Sequence, residues 1–367
     1  TEGDDEREAI DTQYLINRFV KEQPTKLLPT QDDREVFESI VRSLGKVGDD
    51  SRIGKTYHHL KAKVARLDGD DDSVSPKELE NAVLWGLALV AVVAEPGDNA
   101  HRIFESLNNT GLSLTQADLL KNYLFMRLGE RANSVYQSVW HPLEDKLTPE
   151  SLELLFWLDL VLVDENAKQT GTYAGQQKRL DKLTTAKQIE DEVSRIAKLG
   201  DVLASILEPS RESDAEIRAG LERIKMWGST TAYPIVMRIL ARRVAGTATT
   251  VQVANALRTL ISYFVRRIVI GRATAGLNKT LLQAVAVVGD EPDIDDALRA
   301  YLSKGRKHFA TDAQVREAIG AVAFYHHGRK EQQNLILRWL EESYEGKEKA
   351  DLKGLTIEHV LPQTLSD

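Results

Sequence analysis

Apolar residues recur three or four apart across most of this chain, the spacing of helices that bury one face. The polar residues that punctuate them are helix-start signals. Ser75-Pro76-Lys77-Glu78 reads as a capping box with proline at the first helical position. It opens a helix through Leu84, Trp85, Leu87 and Val90 that is apolar on nearly every side and is therefore predicted to be buried. Thr115-Gln116-Ala117-Asp118 is a second cap, with Leu114 placed to staple onto Leu119, and its helix should run to about Leu128. Thr148-Pro149-Glu150 opens another. The pattern predicts further helices at about 186–207, 213–226, 232–244, 250–269, 278–287, 293–303, 312–326 and 329–344, the last ended by Gly346. Alternating runs of strand length are scarce, and the exception is 355–361 near the end. The predicted class is mainly α, a multi-helix scaffold followed by one strand. No fixed-period repeat supports a solenoid.

A chain of 367 residues has material for two or three domains. Residues 1–145 are expected to form a helical unit around the Trp85 helix. Residues 146–330 are expected to form a second one, and 331–367 a helix feeding the strand of a further domain. The chain begins at Thr1 rather than methionine, and it is read as part of a longer protein. The longest apolar run, 82–94, closes at Glu95 and is too short to span a bilayer. A cytoplasmic protein without a membrane partner is expected.

Charge sharpens this picture more through its distribution than its total of −8. Between residues 218 and 288 there are eleven Lys or Arg and one acid, Glu222. The acids gather instead at 2–8, 68–72 and 290–296. A basic stretch in an acidic chain is either a polyanion-binding surface or a set of solvated helix faces. The absence of cysteine excludes disulfides, thiol catalysis and cysteine-ligated zinc.

Several segments carry candidate chemistry. Residues 48–56, Gly-Asp-Asp-Ser-Arg-Ile-Gly-Lys-Thr, nearly match a phosphate-binding P-loop, but they have one residue too many between the glycines. They also follow a predicted helix, 34–44, where the motif needs a strand. The adjacent pairs His58-His59 and His326-His327 point about 100° apart on a helix, which does not suit one metal. The polar run 174–179 reads as a turn between helices. Residues 104–115 combine an apolar anchor, an Asn-Asn-Thr-Gly turn and a capped helix. They are either good turn chemistry or a loop presenting Glu105, Asn108 and Asn109 to a site. Residues 355–363 read Leu-Thr-Ile-Glu-His-Val-Leu-Pro-Gln. In phosphodiester hydrolysis a histidine suits the general base and a neighbouring carboxylate can hold a divalent cation, so Glu358 and His359 are candidates for those roles.

Taken together, these segments resemble the GmrSD-type, modification-dependent restriction endonucleases built from DUF262 and DUF1524 domains. Ile103 to Gly111, Leu114-Thr115, Asp118-Leu119 and Lys121-Asn122 resemble the second DUF262 signature, with Leu27-Leu28-Pro29-Thr30 and Asp33-Arg34 before it. Tyr263-Phe264-Val265-Arg266-Arg267, Gly271 and Leu277-Asn278-Lys279 are similar to the helical middle of these proteins. Leu335-Ile336-Leu337, Leu340-Glu341 and 355–363 look like the entry into the DUF1524 nuclease, of the HNH (ββα-metal) type. The family's ParB-like Asp-Gly-Gln-Gln-Arg signature is missing, as are the HNH residues that follow the histidine.

The resemblance implies an anti-phage enzyme that senses modified DNA, uses NTP in a ParB-like domain, and nicks or cuts DNA with Mg or Mn. In it His359 is the general base and Glu358 lies on the metal side. Glu105, Asn108 and Asn109 border a nucleotide or inter-domain pocket. Arg266, Arg267, Arg272 and Lys279 face DNA. A homo-oligomer is compatible with it, and the polypeptide alone is expected not to cleave. The competing expectation is a helical protein-interaction scaffold without DNA contact.

Overall fold

The computed structural model describes residues 2–20, 23–29, 31–44, 47, 50–67, 74–88, 114–272, 275–289, 291–322 and 328–344. The fold is mainly α. Among the described residues the only β pairing is an isolated antiparallel bridge between Ile16 and Thr25. The strand expected at 355–361 lies outside the described residues.

Packing divides the chain between Glu95 and Pro96, not near residue 145. The first unit holds α1 (Glu2–Ile10), α2 (Gln31–Val41), α3 (Arg52–Leu67) and α4 (Pro76–Gly86). The Ser75 box forms as predicted: the Ser75 hydroxyl accepts from Glu78 N at 3.2 Å, and the Glu78 carboxylate accepts from Ser75 N at 2.9 Å. The bond from the Ser75 amide holds the Glu78 carboxyl below its ordinary range. Burial of this helix, however, is not observed. Trp85 is 79% exposed, and Val83 and Leu87 are exposed with it. An apolar sequence fixes what a helix can bury but not whether a partner surface covers it. The P-loop context also fails, because α3 already begins at Arg52, before Gly54, where the motif needs a loop, and the element before it is α2, a helix rather than a strand.

The second unit contains α5 (Gln116–Leu128), the short α6 (Ala132–Val135) and α7 (His141–Glu144) joined by a π turn, α8 (Pro149–Val161) and α9 (Thr172–Leu180). It continues with α10 (Ala186–Leu207), α11 (Ala215–Trp227), α12 (Tyr233–Val244), α13 (Thr250–Val269), α14 (Leu277–Val287), α15 (Ile294–Ser303), α16 (Asp312–Ala321) and α17 (Lys330–Glu342). Side chains set these starts. Thr115, Thr185, Thr249 and Thr311 each form a capping box with the residue three positions on. Asp214 and Asp293 cap α11 and α15.

One contiguous apolar core runs from Ala117 on α5 to Ile336 on α17. Helix α5 packs on α8, α9 and α10, which is why it belongs with this unit. Helix α17 packs on α11, so the helix expected to open a separate domain also shares this core. The run 174–179, expected as a loop, is part of α9, and Gln176 is fully buried there.

Helices α11 and α13 approach closely at Gly220. A Cβ there would sit 3.0 Å from Leu257 Cβ, an atom fixed to its own backbone. Gly220→Ala is expected to be nearly neutral, since a helix-propensity gain of about 1 kcal/mol offsets the crowding. Gly220→Val is expected to cost about 1–3 kcal/mol by forcing the helices apart. Denaturant midpoints of the two variants check this, and equal midpoints would refute the close approach.

Candidate nucleic-acid interface

The basic stretch at 218–288 is largely consumed inside the fold. Arg243 pairs at 2.6 Å with the buried Glu212, Arg258 at 2.9 Å with Glu216, and Arg223 at 2.6 Å with Glu342. Arg242 is buried at the carboxyl end of α14 and donates to Val288 O and Thr247 O, both at 3.0 Å. The neutralising acids come from outside the run, so the surplus of cations along the sequence does not become a surplus on one face.

A surplus does emerge where α13 ends. The chain reverses at Gly271, whose φ of 67° suits glycine. The connection from α15 to α16 packs beside it, carrying Lys304, Gly305, Arg306, Lys307, His308 and Phe309. Gly305 and His308 both take left-handed backbone, with φ of 59° and 53°. Phe309 N closes the turn onto Leu302 O at 3.0 Å.

Helix α13 holds this loop from beneath. Tyr263 Oη donates to Lys307 O at 2.8 Å, and Arg267 Nη1 donates to the same oxygen at 3.0 Å. Burial pushes the Tyr263 hydroxyl pKa up, against the pull of Arg267, so it stays a donor. Arg266 Nη1 donates to Ala310 O at 2.8 Å and its Nη2 meets Asp312 at 2.5 Å. That bond to Arg266 holds the Asp312 carboxyl below its usual range. Phe309 stacks on Tyr263 at 5.9 Å, with the guanidinium groups of Arg266 and Arg299 at 5.4 and 5.2 Å from its centroid.

The four cations singled out from sequence therefore fall in different places. Arg267 is only 8% exposed and, with Arg266, turns inward to hold the loop. Arg272 is exposed at the loop's edge, its Nη1 3.4 Å from Arg306 O. Lys279 is exposed on the first turn of α14 and lines a separate cleft of about 980 Å³. The structure adds Lys304 and Arg306, both exposed, and Lys307, whose ammonium sits 4.3 Å from the Tyr301 ring centroid. Among the described residues no carboxylate pairs with Arg272, Lys304, Arg306 or Lys307. The signal for them was a short Lys-Gly-Arg-Lys-His run between two capped helices, outside the segment that drew attention by its length.

Glu105, Asn108, Asn109, Glu358 and His359 lie outside the described residues, as do His326 and His327. Of the other histidine pair, His58 Nε2 lies 2.9 Å from Val47 O. Among the described residues, no group of three or more His, Asp or Glu is placed to hold a metal ion. No described helix is long and apolar enough to cross a membrane.

The fold thus defines a mainly α, multi-helix protein with a braced basic loop. No family model matches the chain, and no curated protein or solved structure does either.

Proposed function

We propose that this chain is the helical, DNA-facing portion of a modification-dependent restriction endonuclease of the GmrSD type, acting in the cytoplasm against phage DNA. The observation that carries the DNA contact is the set of cations Arg272, Lys304, Arg306 and Lys307, which no carboxylate pairs among the described residues, the last three on a loop anchored by Arg266 and Arg267 and Arg272 at its edge. Phosphates are bound by such cations with release of condensed counterions, and these contacts position a duplex rather than read its sequence. The enzyme class rests on the resemblance of 103–122, 263–279 and 355–363. NTP use and metal-assisted cleavage at Glu358 and His359 belong to the same proposal.

The test is duplex affinity measured across a range of salt. The triple variant Arg272→Gln/Lys304→Gln/Arg306→Gln is expected to bind more weakly and to lower the slope of log K against log salt by about 2.7, roughly 0.9 per lost phosphate contact. An unchanged slope would show that the loop does not touch DNA.

The exposed apolar side chains at the end of α4, Val83 and Trp85, with Leu87 just after it, favour a second reading, a scaffold that binds a protein partner. That reading requires the wild-type chain to leave DNA unshifted at moderate salt.

A further inference from the structure

The cleft that Lys279 lines is built from four parts of the chain. Helix α8 contributes Trp157, the turn after it contributes Glu165 and Lys168, the 229–234 turn contributes Thr230, and α14 contributes Asn278 and Lys279. Its volume of about 980 Å³ is at the upper end of the range that small-molecule sites occupy, about 300–1,000 Å³. The indole of Trp157 is fixed, because its Nε1 donates to Ala167 O at 3.0 Å and ties the turn to the helix. Lys168 and Lys279 stand on different walls, both exposed, and among the described residues neither is paired with a carboxylate. Glu165 is the single acid in the lining.

This lining combines an aromatic wall, two ammonium groups, and amide and hydroxyl groups. A purely apolar ligand would leave the polar groups unsatisfied. One carboxylate is too few for a hard cation, which takes several oxygen ligands. A ligand with a planar ring and an anionic end uses every part of the lining: the ring against Trp157, the anion between the lysines, and ring edges on Asn278 and Thr230. Glu165 then accepts from an exocyclic amino group, as carboxylates do from cytosine.

The cleft also adjoins the basic loop. Tyr301 Oη lies 3.1 Å from Thr280 O and 3.3 Å from Gln283 Oε1 on the cleft's α14 wall, while the Lys307 ammonium covers its ring.

We propose that this cleft holds one nucleotide unit, a phosphate with its sugar and base, either free or as an unpaired position in a strand. This extends the DNA-facing reading, but it does not depend on duplex contact at the loop. The experiment is titration of the full chain with deoxycytidine 5′-monophosphate, with a short single-stranded oligodeoxynucleotide, and with inorganic phosphate, followed by calorimetry and tryptophan fluorescence. At least one nucleotide probe should bind saturably and more tightly than phosphate. Whichever binds better identifies the source as free nucleotide or strand. Lys168→Gln/Lys279→Gln should weaken that binding by about tenfold or more for each lost charged contact with the phosphate, with an unchanged melting curve. The Arg272/Lys304/Arg306 variant should leave mononucleotide binding intact while duplex affinity falls, which separates failure at the cleft from failure at the loop. No saturable binding of either nucleotide probe, binding indifferent to the lysine pair, or equal displacement by polyglutamate would overturn the assignment.

Discussion

Asp159→Ala is expected to lower the unfolding free energy by about 3–5 kcal/mol, the cost of removing one partner from a buried ion network. Asp159 is 1% exposed, on α8, in an otherwise apolar run. Arg179 Nη2 donates to Oδ2 at 2.7 Å from α9, and Arg195 Nη2 lies 2.7 Å from Oδ1 from α10. The buried Gln176 amide donates to Oδ2 at 3.0 Å and to Phe156 O at 2.7 Å. Removing the carboxylate leaves the two guanidinium groups with Glu192 as their one acid, which meets Arg179 at 2.6 Å and Arg195 at 2.7 Å, while Arg179 keeps its 2.7 Å bond to Gln176 Oε1.

The network also makes stability depend on acid. Burial pushes the Glu192 carboxyl up, but Arg195 and Arg179 outweigh it, and its pKa lies below the ordinary 4.5. A carboxyl depressed in the fold stabilises it fully above the unfolded value, and that contribution is lost as pH falls through the folded value. Denaturant unfolding at pH 7 and at steps below 4.5 measures both effects. Glu192→Gln should flatten the acid limb. An Asp159→Ala protein as stable as wild type would mean that the three helices are held together by their apolar faces alone.

Arg267→Met is expected to cost about 2–3 kcal/mol, the range for lost hydrogen bonds from a charged group. It should also weaken duplex binding, although Arg267 itself faces inward. The reason is mechanical: without the guanidinium, Lys307 O keeps only the Tyr263 hydroxyl, and the loop carrying Lys304 and Arg306 loses an anchor. Arg267→Lys should not restore it, because a point charge on a flexible stem cannot reproduce a planar fork of donors. Thermal melts and salt-dependent binding on the same variants test this together. Weaker DNA binding with an unchanged melt would make Arg267 a direct contact instead.

Helix ends were legible because their determinants are local. A threonine followed three residues on by Gln or Asp fixes a start whatever packs around it: α5 begins after Thr115 as its box predicts, and α10 and α13, expected at about 186 and 250, begin there behind Thr185 and Thr249. Helix α9 was not legible, because Gly-Gln-Gln-Lys-Arg looks solvent-facing. Gln176 is buried through a bond to an aspartate 17 positions earlier, and periodicity carries no trace of such a partner. Trp85 shows the reverse, an apolar pattern that the fold leaves uncovered. The basic stretch misled for the same reason as α9. Arg243 and Arg258 find their acids on α11 or just before it, far from them in sequence, while Lys304, Arg306 and Lys307, which join Arg272 at the basic loop, sit in a five-residue run with no helical pattern.

The brace under Phe309 has a kinetic meaning. A loop ordered only by its ligand must fold during the encounter, and capture then waits on that folding. Here Gly305 and His308 already hold their left-handed conformations, and the carbonyls of Lys307 and Ala310 are already engaged. On the proposed reading, a polyanion arriving at Lys304 and Arg306 would meet groups that need only turn their side chains, and its capture would be governed by diffusion steered by charge.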